Sequence, residues 1–219
     1  MEVMDAIKSR RSIRGYLSDP ISQDILREIL AAATSAPSAV NTQPWEFTVV
    51  QGEALDKIKR ENVEKHLAGV AVSERGSNYS GVYRQRQVEL AIDIYSLLGI
   101  QREDKEKRSW WYQRGFRFFD APVAIIVSTD KSLENSWALF DLGVVTQTLC
   151  LAAMNYGIAT CIEEQGVKYH DVIYKNTGIT ADKEIVIGIA LGYPDPAFPV
   201  NKIISRRETL DNITRWIGF

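Results

Sequence analysis

The chain has 219 residues, 45% of them apolar and 25% charged, and a net charge of −2. This reads as one domain, residues 1–219, with a sizeable core. The near-neutral balance excludes a dedicated nucleic-acid binder, whose affinity rests on neutralising phosphates. Two cysteines, Cys150 and Cys161, and two histidines, His66 and His170, form no Cys/His ligand pattern, so no metal site is expected. The N-terminus, Met1-Glu2-Val3-Met4-Asp5, is acidic and does not read as a signal peptide. No apolar run approaches the ~20 residues needed to cross a bilayer. These features predict a cytoplasmic protein with reduced thiols and no membrane partner.

In chain order, Val3–Ser9 predicts a short helix. Ser22 is placed to cap a second one through Thr34, with Ile25, Leu26, Ile29, Leu30 and Ala33 at helical spacing. Glu46–Gln51 reads as a strand and Leu55–Ala71 as a charged helix. Glu74–Gly81 has loop composition. Val82–Ile100 returns to helical spacing through Val88, Ile92, Tyr95 and Leu98. A charged stretch, Gln101–Arg108, leads into the densest aromatic region, Trp110 to Phe119. Pro122–Thr129 is a continuous apolar run, a strand buried on both faces. Asn135–Tyr156 is a helix apolar almost all round, which predicts burial on every side. Gly157 is placed to end it in a left-handed cap. Glu184–Leu191 is a further buried strand and Gly192–Pro196 a turn. The fold class is α+β.

Three stretches carry chemistry. Arg10, Arg11 and Arg14 put three guanidinium groups within five residues, with the Ser12 hydroxyl among them. They read either as a solvated face pairing with Asp19, Asp24 or Glu28, or as a fork for a small anion. The segment Ala36-Pro37-Ser38-Ala39-Val40-Asn41-Thr42-Gln43-Pro44-Trp45 joins two stiffening prolines to four hydrogen-bonding side chains. It reads as a helix-to-strand connector with Asn41 as a left-handed turn residue, or as a loop lying against a flat polar ligand. Ser205-Arg206-Arg207 is a second paired guanidinium site.

Arg10-Arg11-Ser12-Ile13-Arg14-Gly15-Tyr16 and Ala36–Trp45 together resemble the two N-terminal signatures of the nitroreductase family. Gly157-Ile158-Ala159-Thr160-Cys161-Ile162-Glu163 is similar to that family's central segment, and Arg206-Arg207 before Leu210 to its C-terminal phosphate site. The resemblance runs over nearly the whole chain. It implies a three-layer fold, a mostly antiparallel sheet flanked by helices, in an interlocked homodimer with FMN at the interface. Arg10, Arg11 and Ser12 would meet the phosphate and ribityl chain, and Arg14 the pyrimidine edge. There a fixed cation favours the negative charge that reduced flavin carries. Pro37, Ser38, Ala39, Asn41 and Gln43 would contact the ring, frequently from the other subunit; the Asn41 amide both donates and accepts, which suits N3–H and O4. The backbone of Ile162 and Glu163 would lie near N5, and Arg206 and Arg207 would hold the phosphate. Glu164 and Gln165 precede Gly166, where many relatives have a glycine sooner. Arg114 and Arg117 match the family poorly and stay outside the expected site.

The activity implied is an FMN-dependent oxidoreductase, passing hydride from NAD(P)H through flavin N5 to a nitroaromatic, quinone or activated alkene by a ping-pong mechanism. No side chain is assigned as catalytic. With no Gly-x-Gly-x-x-Gly or P-loop pattern, NAD(P)H is expected as a transient substrate. The alternatives are a specialised dehalogenase, dehydrogenase or ene-reductase of the same superfamily, or a non-catalytic flavin-binding scaffold.

Overall fold

The structure, a computed structural model, describes residues 2–72, 79–133 and 136–219. The apolar run after Pro122 becomes β2 (Val123–Asp130), paired antiparallel with β1 (Glu46–Gln51) on one side and β4 (Lys183–Gly192) on the other. β3 (Ala159–Glu163) closes the sheet, whose order is β1-β2-β4-β3 and whose pairings are all antiparallel.

Alternate residues of β2 feed two cores. Val123, Ile125 and Val127 pack with α2 (Gln23–Ala33) and α6 (Ser136–Met154). Ala124 and Ile126 pack on the opposite face with α3 (Gly52–Leu67), α5 (Lys105–Phe116) and α7 (His170–Thr177). Period-two alternation sends successive side chains to opposite faces, so an unbroken apolar strand requires a helical layer on each side. The three-layer expectation is met.

Helix ends follow local chemistry. Ser22 Oγ accepts the Ile25 N–H at 3.3 Å and caps α2. Asp104 does the same for α5 through Lys107 N–H at 3.0 Å. Gly157 takes φ 69° just after α6, as its lack of a Cβ allows. α1 spans Val3–Ser9 and α4 spans Gly81–Leu97, with a last short helix, α8, at Leu210–Ile213.

Several expectations shift. The aromatic region is helical: Trp110, Trp111, Tyr112 and Phe116 lie on α5. On α4 the spacing through Val88 and Ile92 does not mark the core face; Ile92 is 60% exposed and Ile94 is the buried residue. Most of the loop expected at Glu74–Gly81, and Asn135 of the central helix, lie outside the described residues.

α6 is not buried all round in the single chain. Ala138, Leu142, Val145, Leu149 and Ala153 face the core, while Trp137 and Phe140 are 65% and 63% exposed. Its Trp137–Met154 segment is also long and apolar enough to cross a membrane by length and composition, which the sequence reading did not anticipate. Asp141 and Thr146 lie on its buried face.

Asn62 on α3 joins the second layer to the loop after β3. Its fully buried amide donates to Phe116 O at 3.1 Å and Gly166 O at 2.7 Å. Asn62→Ala strands two buried carbonyls, each costing about 1–3 kcal/mol. We expect urea unfolding of the apo-protein to lose roughly 2–4 kcal/mol of stability with an unchanged m value.

Candidate functional site

β3 is an edge strand, and the N-terminal segment docks against it. After α1 the chain runs on past the ends of β3 and β4. Ile13 N–H donates to Thr160 O at 3.0 Å and Leu17 N–H to Tyr193 O at 2.9 Å, and Tyr16 bridges to Pro194. The Tyr16 hydroxyl donates to Ile13 O at 2.7 Å, and burial holds its pKa well above the ordinary value. This docking brings Arg14 beside the end of β3. Arg14, Trp111, Tyr112, Phe119, Ile162 and Glu163 line a cleft of about 260 Å³.

The other predicted site residues fall elsewhere in the single chain. Arg10 and Arg11 line a cleft of about 290 Å³ with Met154, Gly157 and Thr160. Ser12 O accepts Arg14 Nη1 at 3.5 Å, and the buried Cys161 thiol donates to Ile162 O at 3.7 Å, its pKa pushed up by burial to about 11. Pro37 to Gln43 lie on the α2/α6 side of the sheet. There Ala39 N–H donates to Asp141 Oδ2 at 3.0 Å, and the loop forms a cleft of about 280 Å³ with Trp137 and Ala138. Arg206 and Arg207 border a cleft of about 520 Å³ against α4. The structure therefore unites Arg14, Ile162 and Glu163, and leaves the remainder in separate places.

The loop geometry is unusual. Val40, Asn41 and Gln43 have φ of 45°, 61° and 46°. Asn41 was expected in that region; a β-branched valine there is strained, and Val40 is 96% exposed. Ser38 Oγ accepts Gln43 N–H at 3.0 Å, and Gln43 Nε2 donates to Asn41 Oδ1 at 3.1 Å, which stiffens the turn.

Glu163 turns its carboxyl into the core. Oε2 accepts Gly166 N–H at 2.9 Å, and Oε1 has no hydrogen-bond partner. A Cβ on Gly166 would fall 2.5 Å from Oε1, so this glycine makes room for the carboxyl. Burial pushes the Glu163 carboxyl up to about 8. Its backbone, and not its carboxylate, is what the cleft has to offer.

The donor chemistry fits a phosphate-bearing cofactor. Among the described residues Arg10, Arg11, Arg14 and Arg207 form no ion pair, although each borders a cleft. Arg206 differs: it lies 3.5 Å from Glu89 and 3.9 Å from Asp93. Arg207 bonds only to neighbouring oxygens, Ser205 O, Ser205 Oγ and Arg206 O.

Sequence reasoning missed two supporting side chains. The buried amide of Asn201 holds the Arg14 N–H through Oδ1 at 2.8 Å, and Asp141 holds the loop. Neither carries a local signal, because each partner is more than 100 residues away in sequence.

Comparison with known proteins gives a consistent picture. The nitroreductase family model matches residues 7–193. A nitrobenzene nitroreductase of Ectopseudomonas oleovorans is 34% identical over 97% of this chain and 96% of its own length. A 4-nitrobenzoate reductase of Pseudomonas putida is 32% identical over 97% and 94%. The crystal structure of the FMN-dependent nitroreductase NfnB from Mycobacterium smegmatis, in complex with NADPH, superposes with a TM-score of 0.91 at 28% identity. It covers 98% of this chain and 97% of its own.

Glu163 makes stability pH-dependent. The native carboxyl holds its proton up to about 8, while the unfolded one ionises near 4.5. The stability that its protonation contributes is complete below the unfolded value and is lost as pH rises toward the folded one. Glu163→Gln removes this dependence. Between pH 5 and pH 8 the wild type should lose on the order of 3 kcal/mol relative to the variant. Urea midpoints of both proteins at the two pH values check this; a wild type and variant that shift by the same amount would mean that Glu163 is already ionised at pH 5.

Proposed function

We propose, from the premise that this chain belongs to the nitroreductase family, that it is an FMN-dependent NAD(P)H oxidoreductase whose acceptors are small nitroaromatics, quinones or activated alkenes. The observation that carries the reading is the cleft in which Arg14, without an ion pair among the described residues, meets the end of β3 and three aromatic side chains. FMN, when bound, supplies hydride transfer between NAD(P)H and an acceptor at N5.

The chain's own residues bind and orient. Arg10 and Arg11 would hold the phosphate, joined by Arg207 from the other subunit of a dimer, because Arg207 lines a separate cleft in the single chain; forked guanidinium groups suit that role. Arg14 places a fixed cation at the pyrimidine edge, where it favours acceptance of negative charge. The backbone of Ile162 and Glu163 would lie beside the reactive ring of the flavin. Trp111, Tyr112 and Phe119 exclude water and suit a flat, apolar acceptor. NAD(P)H and the acceptor take turns in that space, so the mechanism is ping-pong.

The unit is a homodimer in which the partner's copy of the 37–43 loop completes the ring site. Support comes from the exposed Trp137 and Phe140 on α6, the outward Val40, and the exposed apolar tail Trp216, Ile217 and Phe219. Apolar surface on this scale marks an interface. Removing residues 212–219 should weaken dimerisation and flavin retention together. Light scattering that finds a stable, flavin-loaded monomer of the full chain counts against the dimer.

Two arginines separate binding from chemistry. A charge-assisted contact contributes ~1.5–3 kcal/mol, so Arg207→Ala should weaken FMN binding roughly ten- to a hundredfold yet turn over nearly normally once saturated. Arg14→Ala should slow flavin reduction even at saturating FMN. Fluorescence titration and stopped-flow reduction by NADH check both. No menadione- or nitroaromatic-dependent NADH oxidation by the FMN-loaded wild type would favour a flavin-binding scaffold.

A further inference from the structure

Arg114 sits behind the cleft, outside its lining, with a side chain only 11% exposed. Its Nη2 donates to Arg14 O and to Phe119 O, both at 3.0 Å. Its Nη1 lies 2.9 Å from Asp120 Oδ2. The guanidinium lies over the rings of Phe198 and Trp110, 4.7 and 5.4 Å from their centroids. One planar cation thus ties α5 to both the N-terminal segment and the turn before β2.

Both anchored residues need holding. Phe118, Phe119 and Asp120 have φ of 52°, 52° and 62°, three consecutive non-glycine residues in the left-handed region. Such a turn persists only where its surroundings over-determine it. Arg114 occupies the Phe119 carbonyl and the Asp120 carboxylate at once. The peptide at Arg14 is fixed from two sides, its N–H by Asn201 and its C=O by Arg114. Gly15 lets the Phe198 ring lie directly on the backbone, since a Cβ there would fall 2.3 Å from Phe198 Cγ. The two cleft side chains anchored this way meet each other, with the Arg14 guanidinium 5.8 Å from the Phe119 ring centroid.

We propose that Arg114 is a positioning residue that sets the Arg14 guanidinium and the Phe119 ring in register across the cleft. The inference rests on the reading of Arg14 as the cation at the flavin's pyrimidine edge. A lysine in its place keeps one charge but not the fork that reaches two carbonyls and a carboxylate. Arg117 supplies the matched control. It pairs with the same Asp120 at 2.7 Å and, among the described residues, its side chain hydrogen-bonds neither Arg14 nor Phe119.

The test has two arms. In the apo-protein, Arg114→Gln should accelerate hydrogen exchange at least tenfold at the amides of residues 13–17 and of 120–121, and Arg117→Gln should leave residues 13–17 unchanged. In the FMN-saturated protein, Arg114→Gln should slow reduction by NADH about as much as Arg14→Ala does. The double variant should be no slower than Arg14→Ala alone, because the clamp acts through Arg14. If the glutamine variant fails to fold, Arg114→Lys serves; it should restore the melting temperature but not the rate. A slow Arg14→Ala beside an Arg114 variant at the wild-type rate overturns the clamp alone. Additive losses in the double variant, or unchanged exchange at residues 13–17, do the same. Arg14→Ala at the wild-type rate overturns the reading of Arg14 and the clamp with it.

Discussion

A sheet covered on both faces constrains everything else in this protein. β2 and β4 send alternate side chains into two separate cores, so no polar chemistry has room on either face of the centre. Reactive geometry must form at an edge or an end, where backbone groups remain unpaired. β3 is such an edge, and the N-terminal segment partly satisfies it through the bond from Ile13 to Thr160. That single docking event decides the position of Arg14. It also explains why the residues on either side of Ile13 are polar while Ile13 itself is buried.

The guanidinium groups then divide by their partners. Arg114 and Arg117 share Asp120, and Arg206 sits beside Glu89 and Asp93. These charges are spent on the fold. Arg10, Arg11, Arg14 and Arg207 border clefts and form no ion pair among the described residues, although Glu89, Asp93 and Glu208 line the cleft of Arg207 and Glu163 that of Arg14. Arg10 and Arg11, which share one cleft, repel, and an anion between them removes the penalty. A near-neutral chain with local cationic clusters is suited to one small anion, not to a polymer of them.

Much of the architecture was legible in the sequence because it is set by local pattern. The apolar run of β2, the Ser22 cap, the long α6 and Gly157 after it all follow from spacing and from single-residue chemistry. α5 was not legible as a helix. Its aromatic residues are interleaved with charges and Gly115 and give no apolar stripe. α7 is only eight residues long, too short for a clear periodic signal. Within the site, the residue types were readable and their grouping was not. Nothing in the chain's order says that Arg14 lies with Ile162 and Glu163 while Arg10, four residues earlier, lines a different cleft. Arg114 falls outside the expected site because its stretch matches the family poorly; its partners Arg14 and Phe119 are brought to it by the fold.

Strain follows the same logic. Among the described residues, the non-glycine left-handed positions fall in two loops, Val40 to Gln43 and Phe118 to Asp120. Each loop is tied down by one buried or nearly buried charged side chain projecting from a helix. Asp141 on α6 accepts the Ala39 N–H, and Arg114 on α5 donates to Phe119 O. A charge removed from water is costly unless it is satisfied, and a backbone held in a sparsely populated conformation relaxes unless it is held. Each pairing answers both costs: the charge gains its backbone partner, and the loop gains its anchor. A neutral side chain of similar size would fill the space without fixing the carbonyl or amide. Arg114 does this from behind its cleft and Asp141 from the wall of its own, and a change at either anchor would be felt first in the geometry of the loop that it holds.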